Sequence, residues 1–201
     1  MTTEGEFCHL GQWLTKGDWV LDIGANIGHY SLRFSELVGS TGRVIAIEPV
    51  PETFALLAAN VALVSNQNVT LLNVAVSDSP KLLGMTIPTF QTGLPNYYQA
   101  HLTHCNPAFN VLCLSIDSLT LPHCIKLVKI DSEGHEFSVL RGMQHLLQRD
   151  HPTLIVEGDS PEVVSYLKAF GYSYEKHIGS PNLVFRQVRH KPALTLSGNP
   201  S

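Results

Sequence analysis

Several common signals are missing from this 201-residue sequence. Its four cysteines, Cys8, Cys105, Cys113 and Cys124, form no C-x-x-C pair. That removes the usual mark of a structural zinc site or a redox dithiol, and a reducing compartment would keep them as thiols. No stretch approaches the ~18 consecutive apolar residues of a membrane helix. Residues 1–11 carry two acids and no apolar run of the kind a secretory leader needs. Positive charge is scarce too: 13 Lys and Arg against 17 Asp and Glu give a formal charge of −4. That leaves no basic footprint for extended contact with a nucleic acid backbone. The expectation is a cytoplasmic protein with no membrane span and no nucleic acid partner.

What is present suffices for one domain. At 44% hydrophobic and 15% charged residues, a chain of this length buries roughly 70% of its unfolded surface without needing a metal or disulfide. Its organising stretch is Trp19-Val-Leu-Asp-Ile-Gly-Ala-Asn-Ile-Gly28. Val20, Leu21 and Ile23 read as a strand buried on both faces, with Asp22 near its carboxyl end. Gly24 and Gly28 permit a tight turn, and Ile27, Tyr30, Phe34, Leu37 and Val38 then recur at helical spacing. Strand, glycine turn and helix make half of a nucleotide-binding unit.

Glycines and acids together narrow the nucleotide. A dinucleotide site wants G-x-G-x-x-G, so that backbone amides close on a pyrophosphate. Here Gly24 and Gly28 enclose Ala25, Asn26 and Ile27, and the turn has no basic residue. The next strand, from Arg43, ends at Glu48, where a carboxylate would take ribose hydroxyls. Asp78 and Asp131 follow later strands. Four acids gathered at one sheet edge suit a ligand with positive charge and donors but no phosphate. S-adenosylmethionine, with a sulfonium, an ammonium, a ribose diol and an adenine amine, fits that description. A nicotinamide-dependent oxidoreductase fits the same fold less well because of the glycine spacing.

The segments VLDIGANIG (20–28), VIAIEPVPETFALLAANV (44–61), NVAVSD (73–78), LVKIDSEGHEFSVLRGM (127–143) and LIVEG (154–158) resemble the FkbM-type family of S-adenosylmethionine-dependent methyltransferases. The first block is common to many methyltransferases, whereas the D-x-E-G-x-E block of Asp131, Glu133, Gly134 and Glu136 is narrower. The resemblance runs from about Trp19 to about Arg186. It implies a Rossmann-like class I methyltransferase fold with strand order 3-2-1-4-5-7-6, and O-methylation of a hydroxyl on a sugar, glycolipid or small natural product. Many relatives carry longer upstream segments, so a homo-oligomer or a partner subunit is expected to help cover the site.

Along the chain, strands alternate with helices and a terminal hairpin follows, which predicts an α/β fold with a doubly wound, mostly parallel seven-stranded sheet. Residues 1–18 read as an arm with Leu10, Trp13 and Leu14 at helical spacing, 19–188 as the methyltransferase domain, and 189–201 as a flexible tail. Val69–Val76 reads as one strand, and Phe137, Leu140, Met143 and Leu147 as one helix. Within 77–122, Lys81–Pro88 and Asn110–Ile116 read as a hairpin insertion. The loop between them, with Phe90, Tyr97, Tyr98 and Phe109, reads as an aromatic lid. His101, His104 and Cys105 lack a fourth partner for zinc and read as surface or substrate-loop residues.

The expected cofactor contacts are Asp22, Gly24, Ala25, Asn26 and Gly28 in the first turn, and Glu48 for the ribose at an exposed strand end. Val74, Ala75 and Val76 would lie against the adenine. Asp78 would bond the adenine amine or cap a turn, and Asp131 also faces the cofactor. Catalysis falls to Asp131 and Glu133, with His135 as a second base. Glu133 and Glu136 equally suit the first turn of the following helix, where the dipole favours acids. No metal is assigned, although carboxylates around the acceptor, Glu157 among them, could hold a divalent cation. A non-catalytic module that retains fold and cofactor is the remaining alternative.

Overall fold

The computed structural model describes residues 4–64 and 66–188, so the tail expected over 189–201 lies outside the described residues. In chain order the elements are α1 (Leu10–Trp13), β1 (Trp19–Ile23), α2 (His29–Val38), β2 (Arg43–Ile47), α3 (Pro51–Val61), β3 (Val69–Leu72), β4 (Ala75–Val76), β5 (Lys81–Thr86), β6 (His101–Thr103) and β7 (Phe109–Leu114). There follow β8 (Ile125–Ile130), α4 (Glu136–Arg141), α5 (Gln144–Asp150), β9 (Thr153–Glu157), α6 (Pro161–Ala169), β10 (Tyr172–Lys176) and β11 (Asn182–Gln187).

Seven strands form one sheet in the order β10-β11-β9-β8-β1-β2-β3. Numbered within that sheet alone, this is the expected order 3-2-1-4-5-7-6; the numerals differ because the four strands of the insertion intervene. β1, β2, β3, β8 and β9 run parallel, and β11 joins β9 antiparallel. Alternation along each strand decides what covers each face. Leu21, Ile23, Ile45, Ile47, Val128, Ile130, Leu154 and Val156 pack with α4, α5 and α6 residues such as Leu140, Leu147 and Leu167. The intervening Val20, Val44, Leu127, Ile155 and Val184 pack with Leu10 and Leu14 of the arm and with Tyr30, Phe34 and Val38 of α2. Both faces are therefore dry, as a parallel sheet requires.

Two expectations about continuity are corrected. Val69–Val76 is not one strand: it breaks after Leu72, and β4 leaves the large sheet to pair with β7. Within the insertion β5 and β7 pair antiparallel as expected, but the stretch between them is not all loop: β6 pairs with β5, and with β4 on β7 the four make a second sheet, β4-β7-β5-β6. It has a small core of its own, Leu83, Met85, Val111 and Cys113 with Val50 and Ala75. The helix expected through Phe137 and Leu147 is also interrupted, ending at Arg141 and resuming at Gln144. Gly142 lies in the break because a β-carbon there would come within 2.0 Å of the Ser77 carbonyl oxygen. The backbone leading to the insertion runs directly over it.

Candidate active site

The turn after β1 is closed by its own hydrogen bonds. Gly24 N and Ala25 N donate to the Ile47 carbonyl at 2.9 and 3.0 Å, and Gly28 N donates to Ala25 O at 2.8 Å. Asn26 N donates to Glu48 Oε2 at 2.9 Å, and Ile27 N to the Asn26 side-chain oxygen at 2.8 Å. Every amide from Gly24 to Gly28 thus has a partner within the protein. Gly24 is required twice over: its φ is +77°, and a β-carbon would meet the Asp131 carbonyl oxygen at 1.7 Å. This close approach brings the end of β8 against the turn.

Above the carboxyl ends lies a cavity of about 310 Å³. The sheet order gives its layout. On the β2 and β3 side it is lined by Glu48, Pro49, Val50, Val74, Ala75, Val76 and Met85, at the centre by Ile23, Gly24 and Asn26, and on the β8 and β9 side by Asp131, Ser132, Glu133 and Glu157. Tyr97, Tyr98, His101 and Leu102 of the insertion and Glu4 of the arm complete the lining. Among the sequence-predicted residues, Gly24, Asn26, Glu48, Val74, Ala75, Val76, Asp131 and Glu133 come together here.

Asp22, Ala25, Gly28, Asp78 and His135 do not line this cavity. Asp22 shares strand parity with Val20, so it points to the α2 face, where it is 1% exposed and accepts a hydrogen bond from Ser31 Oγ. Burial raises its pKa to about 6, with Ser31 and Lys129 opposing the rise. Ala25 is buried against Ala46 and Leu57. Gly28, at φ +97°, precedes α2 where a β-carbon would meet Leu57 Cδ1 at 2.7 Å. Asp78 faces away. It accepts from Lys81 Nζ at 2.5 Å, lies 3.9 Å from Arg141, and is held down to about 2 by the Lys81 hydrogen bond. His135 is engaged by Ser77, Nε2 to Oγ 2.9 Å, and its pKa is lowered by burial and then by Lys81.

Glu48 is not at an exposed strand end. Its residue is 5% exposed, and its other oxygen accepts Val50 N at 2.9 Å. Burial raises its pKa to about 7 against the two backbone bonds. Across the cavity, Lys129 shares parity with Leu127 and register with Asp22. It is 1% exposed, lies 5.3 Å from the Tyr30 ring centre, and donates to Asp131 Oδ2 at 3.1 Å. Burial pushes Asp131 up, but Lys129 and a hydrogen bond with Glu157 outweigh it and leave the carboxyl below its ordinary range. Glu157 goes the other way, to about 8, through burial, that shared hydrogen bond and the charge of Asp131. Such a pair holds one proton between two carboxyls. Glu133 is raised by burial, then by Asp131 and Glu136.

Glu133 does not stand in a helix. It occupies the loop before α4 with φ +50°, followed by Gly134 at +90°. Glu136 shapes that loop: its Oε1 accepts from Ser132 N and Oγ, both at 3.0 Å, and from Gly134 N at 3.1 Å. Ser132 therefore donates to Glu136 rather than capping the helix. One carboxylate oxygen each from Asp131, Glu133 and Glu157 lie within 4.8 Å of one another. Lys129 already supplies positive charge beside them. Glu4 and Met85 had no local sequence signal, because tertiary packing of the arm and the second sheet brings them in; His101, read as a surface or substrate-loop residue, lines the cavity.

A switch-point sheet in this order, with β11 antiparallel and a cavity at the carboxyl edge, is the class I methyltransferase fold that solved methyltransferase structures share. The sequence profile of the FkbM methyltransferase domain matches residues 22–174, well over half of the chain. The chain belongs to that family of methyltransferases, whose methyl donor is S-adenosylmethionine. No curated protein sequence matches it. Among solved structures it is similar to a methyltransferase FkbM from Methylobacillus flagellatus (15% identity, TM-score 0.65). That match covers 86% of this chain and 44% of that one, so the chain spans under half of that protein's length. A candidate rRNA methylase from Clostridium thermocellum matches at 12% identity and TM-score 0.61, covering 95% of this chain and 99% of that one. Aeropyrum pernix fibrillarin with natively bound S-adenosyl-L-methionine matches at 12% and 0.55, covering 86% and 67%. At these identities the likeness is one of fold.

The cavity fits the donor by the chemistry of its lining. Val50, Val74, Ala75, Val76 and Met85 offer an apolar wall for adenine, and Glu48 offers an acceptor for a diol. The central turn has no free amide for a phosphate. Among the described residues, no helix is long and apolar enough to cross a membrane.

Proposed function

We propose that this chain transfers a methyl group to a hydroxyl of a sugar, glycolipid or small natural product. The observation that carries the reading is the division of the cavity: an apolar, diol-accepting side with no free turn amides, and opposite it Asp131, Glu133 and Glu157. The spent amides also weigh against a nicotinamide dinucleotide, whose pyrophosphate needs them. When bound, S-adenosylmethionine supplies an electrophilic methyl on a sulfonium. The chain's own work is then to orient the acceptor and remove its proton, and positioning alone can contribute roughly 7 to 11 kcal/mol.

Asp131, kept ionised by Lys129, orients the acceptor hydroxyl with Glu133 beside it, so that a base within hydrogen-bond reach can take the proton. The arm, through Glu4, and the insertion, through Tyr97, Tyr98 and His101, cover the site from two sides, and a partner subunit would extend that cover. The four free thiols favour a cytoplasmic setting.

A labelled-methyl transfer screen over hydroxylated sugars, glycolipids and polyketides, run with EDTA and with magnesium, tests this. Product is expected with EDTA present, because Lys129 rather than a metal offsets the acids. Asp131→Asn and Glu133→Gln should lower turnover by roughly 10² to 10⁴ while S-adenosylhomocysteine still binds. Parental rates in both variants would end the catalytic assignment. Tight NAD binding without S-adenosylhomocysteine binding would end the whole reading.

A further inference from the structure

The histidine at the cavity is not the one beside the D-x-E-G-x-E block. His135 is held by Ser77 outside it, whereas His101, from the second sheet, lines it together with Asp131 and Glu133. His101 opens β6, which pairs antiparallel with β5 (His101 opposite Thr86), so it belongs to a hydrogen-bonded strand rather than a free loop. Its Nδ1 sits 3.0 Å from the Gln99 carbonyl oxygen. A carbonyl can only accept, so in the neutral ring Nδ1 carries the hydrogen and Nε2 keeps its lone pair. The ring also stands close enough to Glu133 that its positive charge opposes the rise of that carboxyl.

We propose, resting on the O-methylation reading above, that His101 is the general base that deprotonates the acceptor hydroxyl, with Asp131 and Glu133 orienting that hydroxyl and stabilising the imidazolium. The acceptor's proton passes to Nε2 as its oxygen bonds to the methyl carbon. The methyl–sulfur bond breaks with its electron pair returning to sulfur. The products are a methyl ether, a neutral thioether and an imidazolium that releases its proton to water. Asp131 is the weaker base of the three because its pairing with Lys129 stabilises the ionised form.

Two measurements test this, one of them independent of turnover. Nitrogen-15 spectra of the histidine rings, assigned with His101→Gln, should show His101 protonated at Nδ1 and bare at Nε2 when neutral. A ring protonated at Nε2 would overturn the proposal. With a productive acceptor, His101→Gln should lose roughly 10²-fold in turnover. Its S-adenosylhomocysteine affinity should stay within about twofold, and added imidazole should restore part of the rate. His104→Gln, on the same insertion but outside the cavity, should keep the parental rate. His101→Gln turning over like the parent would overturn the proposal while leaving the methyltransferase reading intact. A parent that binds S-adenosylhomocysteine but methylates nothing in the screen counts against the acceptor reading instead, and the ring tautomer then decides His101.

Discussion

Glu48 holds two backbone amides and lines the cavity with the same side chain. Removing it therefore costs more than a ligand contact. Glu48→Ala leaves the buried amide of Val50 without a partner, at about 1 to 3 kcal/mol, and the part-buried amide of Asn26 at a smaller cost. The expected outcome is a lower midpoint in thermal unfolding together with loss of S-adenosylhomocysteine binding; an unchanged midpoint would contradict the geometry. Because its pKa is raised to about 7, hydroxyls donating to the ionised form should pull a proton off. Calorimetry near pH 6.5 in buffers of different ionisation enthalpy should report proton release, with affinity rising as pH passes 7. Asp131 has a parallel double duty toward Lys129. Asp131→Ala strands an almost fully buried ammonium, which costs up to about 3 to 5 kcal/mol in a fully buried pair, and less here because the Asp131 side chain is 36% exposed. Adding Lys129→Met should recover most of the stability but none of the turnover. Recovered turnover would make Asp131 a structural partner only.

At the scale of elements, the decisive contacts are close approaches of backbone. β1 and β8 meet where Gly24 faces the Asp131 carbonyl, and α4 and α5 part where Gly142 faces Ser77. Gly24→Ala should cost several kcal/mol, since a positive φ and a β-carbon only 1.7 Å from the Asp131 carbonyl oxygen act together. Denaturant titration should show a lower midpoint, and the variant should bind S-adenosylhomocysteine far more weakly than the parent. A variant of parental stability and affinity would mean that the turn and β8 can move apart freely. The strands of the large sheet were legible before the structure because aliphatic runs bounded by Gly, Pro and Asp leave little choice. The second sheet was only half legible. β5 and β7 carry enough apolar residues to be found, but the three residues of β6 have no pattern of their own and take shape only by pairing with β5.

Across the whole molecule, three carboxyls at or near the carboxyl edge, Asp22 and Glu48 buried and Glu157 half-buried, sit above their ordinary values: Asp22 at about 6, Glu48 at about 7 and Glu157 at about 8. Each holds a proton in the folded state that the unfolded chain releases near pH 4. Between pH 4 and 8 the folded protein therefore binds more protons, and stability falls as pH rises through that window. Asp22 and Glu48 each contribute a slope of up to about 1.4 kcal/mol per pH unit within their own intervals, and the half-buried Glu157 contributes less because solvent screens it. Asp78 and Asp131, lowered by lysines, act in the opposite direction below pH 4. The expected thermal midpoint is highest near pH 4 to 5 and lower at pH 8. Saturating ligand should flatten the neutral part of the profile by ionising Glu48. A midpoint that rises from pH 5 to 8 in the free protein would refute the assignment.

The sequence alone determined the α/β class and the residues after β1, β2 and β8 that line the cavity, because these follow from local apolar runs, glycine spacing and the acids that end the strands; the family and the strand order came from the resemblance carried by its motif blocks, the D-x-E-G-x-E block above all. It held the parity that turns Asp22 toward α2 as well, since Val20 and Asp22 lie two apart on one strand, although an acid at a strand end reads first as a ligand. Only the tertiary structure decided how each carboxylate is used: Glu48 buried and doubly bonded, Asp131 tied to Lys129, Glu136 folded back on its loop. It alone brought His101 to the cavity and sent His135 to Ser77. Some of these contacts join residues far apart in the chain, Asn26 with Glu48 and Ser77 with His135; others join near neighbours, Lys129 with Asp131 and Ser132 with Glu136, but form only because packing fixes which way each carboxylate turns, and no local pattern in the chain encodes that choice.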